Sequence, residues 1–353
     1  MELKPDWNEA KERFIAWWEG EAVGRACLQV TAPRADCAPQ PIPEPPTLEA
    51  RWTDIDYVIR SAQERMRATF YGGEAFPVFW PNLGPDIFAA YLGCELIFKE
   101  GTSWAKPFIR DWASFPGFAF DPSNRWWRLT IEMLRAATEA GAGKYFVGLT
   151  DLHGGVDALS AARGRENLCL DLLDHPAHIR RAMDFLTPFW FEIYEEMHSV
   201  VQRKMQGSST WIGLWSPGRM YAVSCDFCCM VSPRHFEEII LPDIAAEVDW
   251  LDHSVFHLDG PGALPHLDRL LEMPRLNAIQ WVPGAGREDL HQWVPALKKI
   301  QRAGKSLLIH ARPDEVEPLL AQLSADGLMI STHCDSEEHA RWLLRKAAEW
   351  SRP

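Results

Sequence analysis

Residues 253–284 read HSVFHLDGPGALPHLDRLLEMPRLNAIQWVPG, and the fold turns on them. The first half is an apolar run that ends at His257 and Asp259 and breaks at Gly260-Pro261-Gly262. A short helical segment follows, then a second apolar run, NAIQWV, which stops at Pro283-Gly284. Short continuous apolar runs joined through helical text are the repeat of a parallel sheet buried on both faces. The run also delivers an imidazole and a carboxylate to its end before it turns. That pair is either a site or the polar cap of a turn.

The same alternation extends in both directions. Upstream, a helix starts near residue 124 and ends at AGAG, followed by the strand text KYFVGLT (144–150) and, after two helical stretches, STWIGLW (209–215). A helix over 233–252 leads into the quoted stretch. Downstream come SLLIHA (306–311), GLMISTH (327–333) and a last helix over 336–350. Sustained alternation of this kind predicts an α/β protein: a single (β/α)8 TIM barrel over 1–353, regular from 124 to 353. Residues 1–123 then supply an N-terminal extension and the first elements. These are a helix over 1–24, strand text at 26–33, a proline-rich surface loop at 38–46, a helix over 53–70 and a hairpin over 93–109. An open doubly wound sheet is the alternative. No G-x-G-x-x-G follows the first strand and no P-loop pattern occurs, so dinucleotide and nucleotide readings lack support.

Composition narrows the partners. The 353 residues carry a formal charge of −13, which disfavours nucleic acid, whose phosphates need a basic surface. Hydrophobic residues make up 47%, enough for a large core. No apolar run approaches the ~20 residues that span a bilayer. With no leader-like segment, the eight cysteines read as reduced thiols and the expected location is cytoplasmic. The 17 tryptophans suggest flat cavity walls as well as core filling.

In a barrel, functional side chains gather past the C-terminal strand ends. Here those ends carry Asp151 and His153; Trp215, Arg219 and Tyr221, then Asp226 within SCDFCCM; His257 and Asp259; Gln280 and Trp281; His310 and Arg312; and His333 with Cys334. Histidine at four strand ends suits proton transfer or metal ligation. His257 and Asp259 alternate along an extended segment and face one point. They could share a divalent metal with Cys334, or else serve the turn. Cys225, Cys228 and Cys229 are either ligands or small apolar filling. Asp226, a carboxylate in an apolar segment, needs a partner or a function.

At these residues the chain resembles the uroporphyrinogen decarboxylase superfamily, in particular the branch with the corrinoid-linked methyltransferases. The stretches that carry the resemblance are VGLTDLHGGVDALSAARG (147–164), CDFCCMVSPRHFEEIILP (225–242) and HLDGPGALPHLDRLLEMPRLNAIQWVPG (257–284), with WWEGEAVGRACLQVTAP and FWPNLGP near the N-terminus. It implies one barrel with its site in the central cavity. The decarboxylase uses an arginine-rich N-terminal motif, for which VGRACLQVTAP offers only Arg25. The methyltransferases hold zinc through His-x-Cys and a later Cys. Here His257 and Cys334 fit that pattern, and Asp259 stands where the middle cysteine would be.

The reading that follows is a zinc-dependent methyltransferase acting on a small methylated compound, its corrinoid carried by a separate partner protein. His257, Asp259 and Cys334 hold the metal. Asp151, His153 and Asp226 are the catalytic candidates, and Trp215, Arg219, Tyr221, Gln280, Trp281, His310 and His333 bind substrate. The rivals are a metal-free decarboxylase or lyase, which needs arginines converging on the cavity, and a non-catalytic small-ligand-binding barrel.

Overall fold

The computed structural model describes residues 1–351. In chain order its strands are β1 (Cys27–Pro33), β2 (Thr69–Gly73), β3 (Val78–Phe79), β4 (Glu95–Phe98), β5 (Ser103–Lys106), β6 (Phe146–Val147) and β7 (Ser208–Ser209). There follow β8 (Trp215–Ser216), β9 (Met220–Ser224), β10 (His253–Asp259), β11 (Ala278–Val282), β12 (Ser306–His310) and β13 (Leu328–His333). Seven of them form one sheet in the order β2-β1-β13-β12-β11-β10-β9, all parallel except β2, which lies antiparallel on β1. A doubly wound sheet reverses its strand order at a switch point. Here β9 to β13 add in one direction and the first strand lies against the last, so the sheet wraps.

The remaining quadrant is made of short pieces. β3 and β6 pair in parallel, and the Leu149 amide donates to the Ser209 carbonyl at 2.9 Å. Among the described residues no ladder joins the β3–β6 pair to the large sheet. Side chains tie the two parts together instead. Gln29 Nε2 donates to the Gly213 carbonyl at 2.7 Å, and the Tyr221 hydroxyl donates to the Thr150 carbonyl at 2.8 Å. The architecture is mixed α/β and barrel-like.

Several local expectations change. STWIGLW is no single strand: the chain turns at Thr210–Gly213, with Gly213 at φ +69°, between the antiparallel β7 and β8. The parallel strand of that region is β9, just past Pro217-Gly218. The helical text over 53–70 ends at Arg67, and Thr69–Gly73 is extended as β2. The N-terminal helix covers Trp7–Trp18, and β6 is shorter than its apolar text. The β4–β5 hairpin forms within the expected span.

Register fixes which side chains share a face. Ser224 pairs with His257 and His257 with Gln280, while Thr31 pairs with His333. With His310, two residues beyond the partner of Gln280, these lie on one face of the sheet. Leu258, Trp281 and Ile309 point the other way and are at most 1% exposed, packed beneath the helix layer.

The helix Leu241–Trp250 buries one acid against this core. Glu247 is 5% exposed, and burial, with Asp243 and Asp157 nearby, pushes its carboxyl well up from 4.5. Above that pH the unfolded chain releases a proton that the folded chain keeps, so stability falls as pH rises. Glu247→Gln is expected to raise the thermal midpoint near pH ~7.5, by about 1–2 °C per kcal/mol gained, and not near pH ~4. Calorimetry at both pH values checks this, and an equal gain at each would exclude titration as the cause.

Candidate functional site

Three segments meet at the C-terminal edge of the sheet. The first leaves β6 through Thr150, Asp151, Leu152 and His153, and turns at Gly154-Gly155 into the helix Gly155–Arg163. Gly155 sits at φ +49°, and a Cβ there would lie 2.0 Å from Asp243 Oδ2, so only glycine fits. The turn folds Asp157, in the first helical turn, back toward the strand ends.

The second segment is the 3₁₀ turn Asp226–Met230 after β9. Its first amides are satisfied by Asp157: Asp226 N–H donates to Oδ2 and Phe227 N–H to Oδ1, each at 2.8 Å. This clamp fixes the backbone of Asp226, whose own side chain stays open to solvent. The third segment is the end of β10, where Gly260, at φ +75°, lets the chain turn away after Asp259.

Two groups result, and Asp226 belongs to both. One is His153, Asp157 and Asp226; the other is Asp226, His257 and Asp259. Within each group the ligand-capable atoms lie within 4.8 Å of one another.

The two imidazoles are held differently. His153 Nε2 is 3.2 Å from Asp151 Oδ1, and its Nδ1 is 3.9 Å from Asp226 Oδ2. The Nε2–Oδ1 contact is close but not aligned, and both atoms are buried without a hydrogen bond. On the other side, His257 Nδ1 is 2.7 Å from Gln280 Oε1, and Gln280 Nε2 is 3.1 Å from His310 Nε2. An amide oxygen only accepts, so in this orientation His257 carries its hydrogen on Nδ1 and keeps the Nε2 lone pair free. The Trp211 ring stands edge-on to His257 at 5.0 Å between centroids.

Electrostatics separates the pair. Burial alone would lower His153, but Asp151, Asp157 and Asp226 overcome it and hold the imidazole at about 9. Burial lifts Asp151 and Asp157 to about 6, against the pull of His153. Between about 6 and 9 the Asp151–His153 pair is therefore charged on both sides. His257 goes the other way: burial lowers it, only partly offset by the Gln280 bond and Asp226.

The other expected residues scatter. Cys334 joins neither group. Its amide donates to the Thr31 carbonyl at 2.8 Å, which continues the β13 alternation, so it turns away from the face of His333 and is fully buried. Arg219 precedes β9, at the opposite end of that strand from Asp226, and pairs with Glu195 at 3.2 Å. Tyr221 is buried and braces the Asp151 loop, its hydroxyl accepting from Leu152 N–H at 2.5 Å. Trp215 packs on Trp7 and Phe14, and Trp281 faces the helix layer against Trp293. His310 is reached only through Gln280, and His333 bonds Thr31 at 3.0 Å. Arg312 pairs with Asp314 and Glu315, so neither it nor Arg219 is free for a substrate carboxylate. Cys225 lies 3.9 Å from Asp157, Cys228 is buried, and Cys229 is exposed; all eight cysteines are free.

A cleft of about 230 Å³ opens on the site, lined by Asp86, Trp104, His153, Asp157, Arg165 and Asp226 among others. Asp157, Trp104, Arg165 and Asp86 were not among the expected site residues. Asp157 had one signal in the sequence, an acid within the apolar text GVDALS. The arrangement can hold a divalent cation, or keep a proton beside several carboxylates.

In the metal-free protein, ¹⁵N-histidine NMR is expected to find His153 titrating near 9 and His257 below 6.5. The stabilisation from protonated His153 is then complete below 6.5 and lost as pH rises through about 9. The reverse order of the two imidazoles would contradict the electrostatic assignment.

No family model and no curated protein matches the sequence. Among solved structures, the fold is similar to that of a methyltransferase from Methanosarcina mazei. The TM-score is 0.64, over 96% of this chain and 98% of that one, with 12% of residues identical. At that identity the likeness concerns the fold alone, and it runs through the whole of both chains.

Proposed function

We propose that the chain is a metal-dependent methyltransferase of the corrinoid-associated type, within the uroporphyrinogen decarboxylase superfamily, acting on a small methylated compound such as a methoxy compound. The observation that carries this reading is the convergence of His257, Asp259 and Asp226 at the C-terminal edge of a wrapped parallel sheet. The likeness in fold to a methyltransferase supports it.

The residues fit a divalent ion. His257 is tied through Nδ1 to Gln280, the backing that metal-bound imidazoles use, and its lowered basicity keeps Nε2 unprotonated. With Asp226 in the place expected for Cys334, the donors are one nitrogen and two carboxylates. That set suits zinc as a hard Lewis acid and does not favour holding a thiolate. Held by His257, Asp259 and Asp226, such an ion would supply Lewis-acid polarisation of an ether oxygen.

The remaining work falls to the chain itself. Trp211 offers an apolar edge beside His257, and Trp104 and Arg165 line the approach. When the methyl–oxygen bond breaks, its electron pair stays on oxygen and the methyl group passes to a nucleophile supplied by a separate corrinoid protein. Exposed Trp104 at the cleft, and Leu170 and Leu173 on the helix that begins at Arg165, offer that partner apolar surface.

Protein purified without a polyhistidine tag is expected to contain at least about one divalent ion per chain, and His257→Ala to contain about one fewer. Turnover of a methoxy substrate with a corrinoid protein should fall with it, by roughly 10²-fold or more. Metal-free protein that stays so after zinc is supplied would sink the assignment.

A further inference from the structure

The group on the other side of Asp226 has no part in this reading, yet it offers the same donors, one imidazole and two carboxylates. His153 is only 9% exposed, and its Nδ1 faces Asp226 Oδ2 at 3.9 Å. Its Nε2 lies 3.2 Å from Asp151 Oδ1, buried and without a hydrogen bond. Asp157 is held in place by two backbone amides. An imidazole with a carboxylate behind one ring nitrogen is how proteins orient a histidine ligand, fixing its tautomer and raising its basicity. His257 is oriented by the Gln280 amide oxygen at 2.7 Å, and Asp151 is the group nearest to do so for His153.

We infer that the site takes two divalent cations, bridged by the Asp226 carboxylate: one on His257 and Asp259, the other on His153 and Asp157. Each set has one nitrogen and two carboxylates, counting Asp226 in both. Neither contains a thiolate, so both select borderline-to-hard ions such as Zn²⁺ or Mn²⁺. A carboxylate has two oxygens, so Asp226 can offer one to each ion. The acidity of the pocket fits this occupancy. Asp151, Asp157, Asp226 and Asp259 crowd around two imidazoles, an excess of carboxylates that a second cation would offset. The inference rests on the methyltransferase reading for the first ion only; the second site stands on its own residues.

Metal-free protein is titrated with Zn²⁺ by calorimetry, and the dialysed product is analysed for metal. Wild-type protein is expected to bind two equivalents. His153→Gln and His257→Gln are each expected to bind one, a halving, and Asp226→Ala is expected to weaken both sites by at least tenfold. Near-UV circular dichroism confirms that each variant is folded. A second measurement needs no variant: wild-type protein loaded with Mn²⁺ is expected to give the electron paramagnetic resonance spectrum of a coupled pair. One equivalent in wild type, lost in His257→Gln and kept in His153→Gln, would overturn the second site and leave the proposed function standing. No binding in wild type would overturn both. An uncoupled Mn²⁺ spectrum at two equivalents would overturn the bridge.

Discussion

The site depends on one clamp. Asp157 accepts the backbone N–H groups of Asp226 and Phe227 with its two carboxylate oxygens, both at 2.8 Å. Charge-assisted bonds of this kind contribute about 1.5–3 kcal/mol each, and here they satisfy the otherwise orphaned amides of a 3₁₀ turn. The clamp links the helix after β6 to the turn after β9, two segments about 70 residues apart in sequence. It sets the backbone from which the Asp226 carboxylate reaches between His153 and His257.

The wrap of the sheet makes that clamp possible. Because β9 to β13 add in one direction and β1 closes on β13, the ends of parallel strands gather on one side of the molecule. Alternation then sorts what they present. Thr31, Ser224, His257, Gln280, His310 and His333 share the inner face, and the intervening apolar residues pack beneath the helices. Tyr221 performs a bridging task where the ladder is interrupted, fastening β9 to the Asp151 loop with a hydroxyl that both donates and accepts. The catalytic expectation for Asp151, His153 and Asp226 and the metal expectation for His257 and Asp259 thus meet in one place.

Legibility in the sequence followed burial and parity. His257, Asp259, Asp151 and His153 stood out because each ends a continuous apolar run, and such runs mark buried parallel strands. Gln280 was visible for the same reason, although its role, setting the tautomer of His257, is a matter of contact. Arg219 was misplaced because β9 was not recognised. With STWIGLW taken as the strand, Arg219 lies past its end; with Met220–Ser224 as the strand, it lies before the beginning. Trp281 and Cys334 fall on the wrong parity, which a one-residue uncertainty in strand position is enough to reverse. Asp157 was hidden differently. An acid in the first turn of a helix is ordinarily explained by the helix dipole, and only the chain folding back reveals the amides it holds.

Anomalous diffraction from crystals grown with zinc, recorded at the zinc edge, tests the central claim most directly. The expected map places density within about 2.0–2.2 Å of the Asp226 carboxylate, with His257 and Asp259 completing one coordination sphere. A map with no density at Asp226, or with zinc bound only elsewhere on the chain, would contradict it.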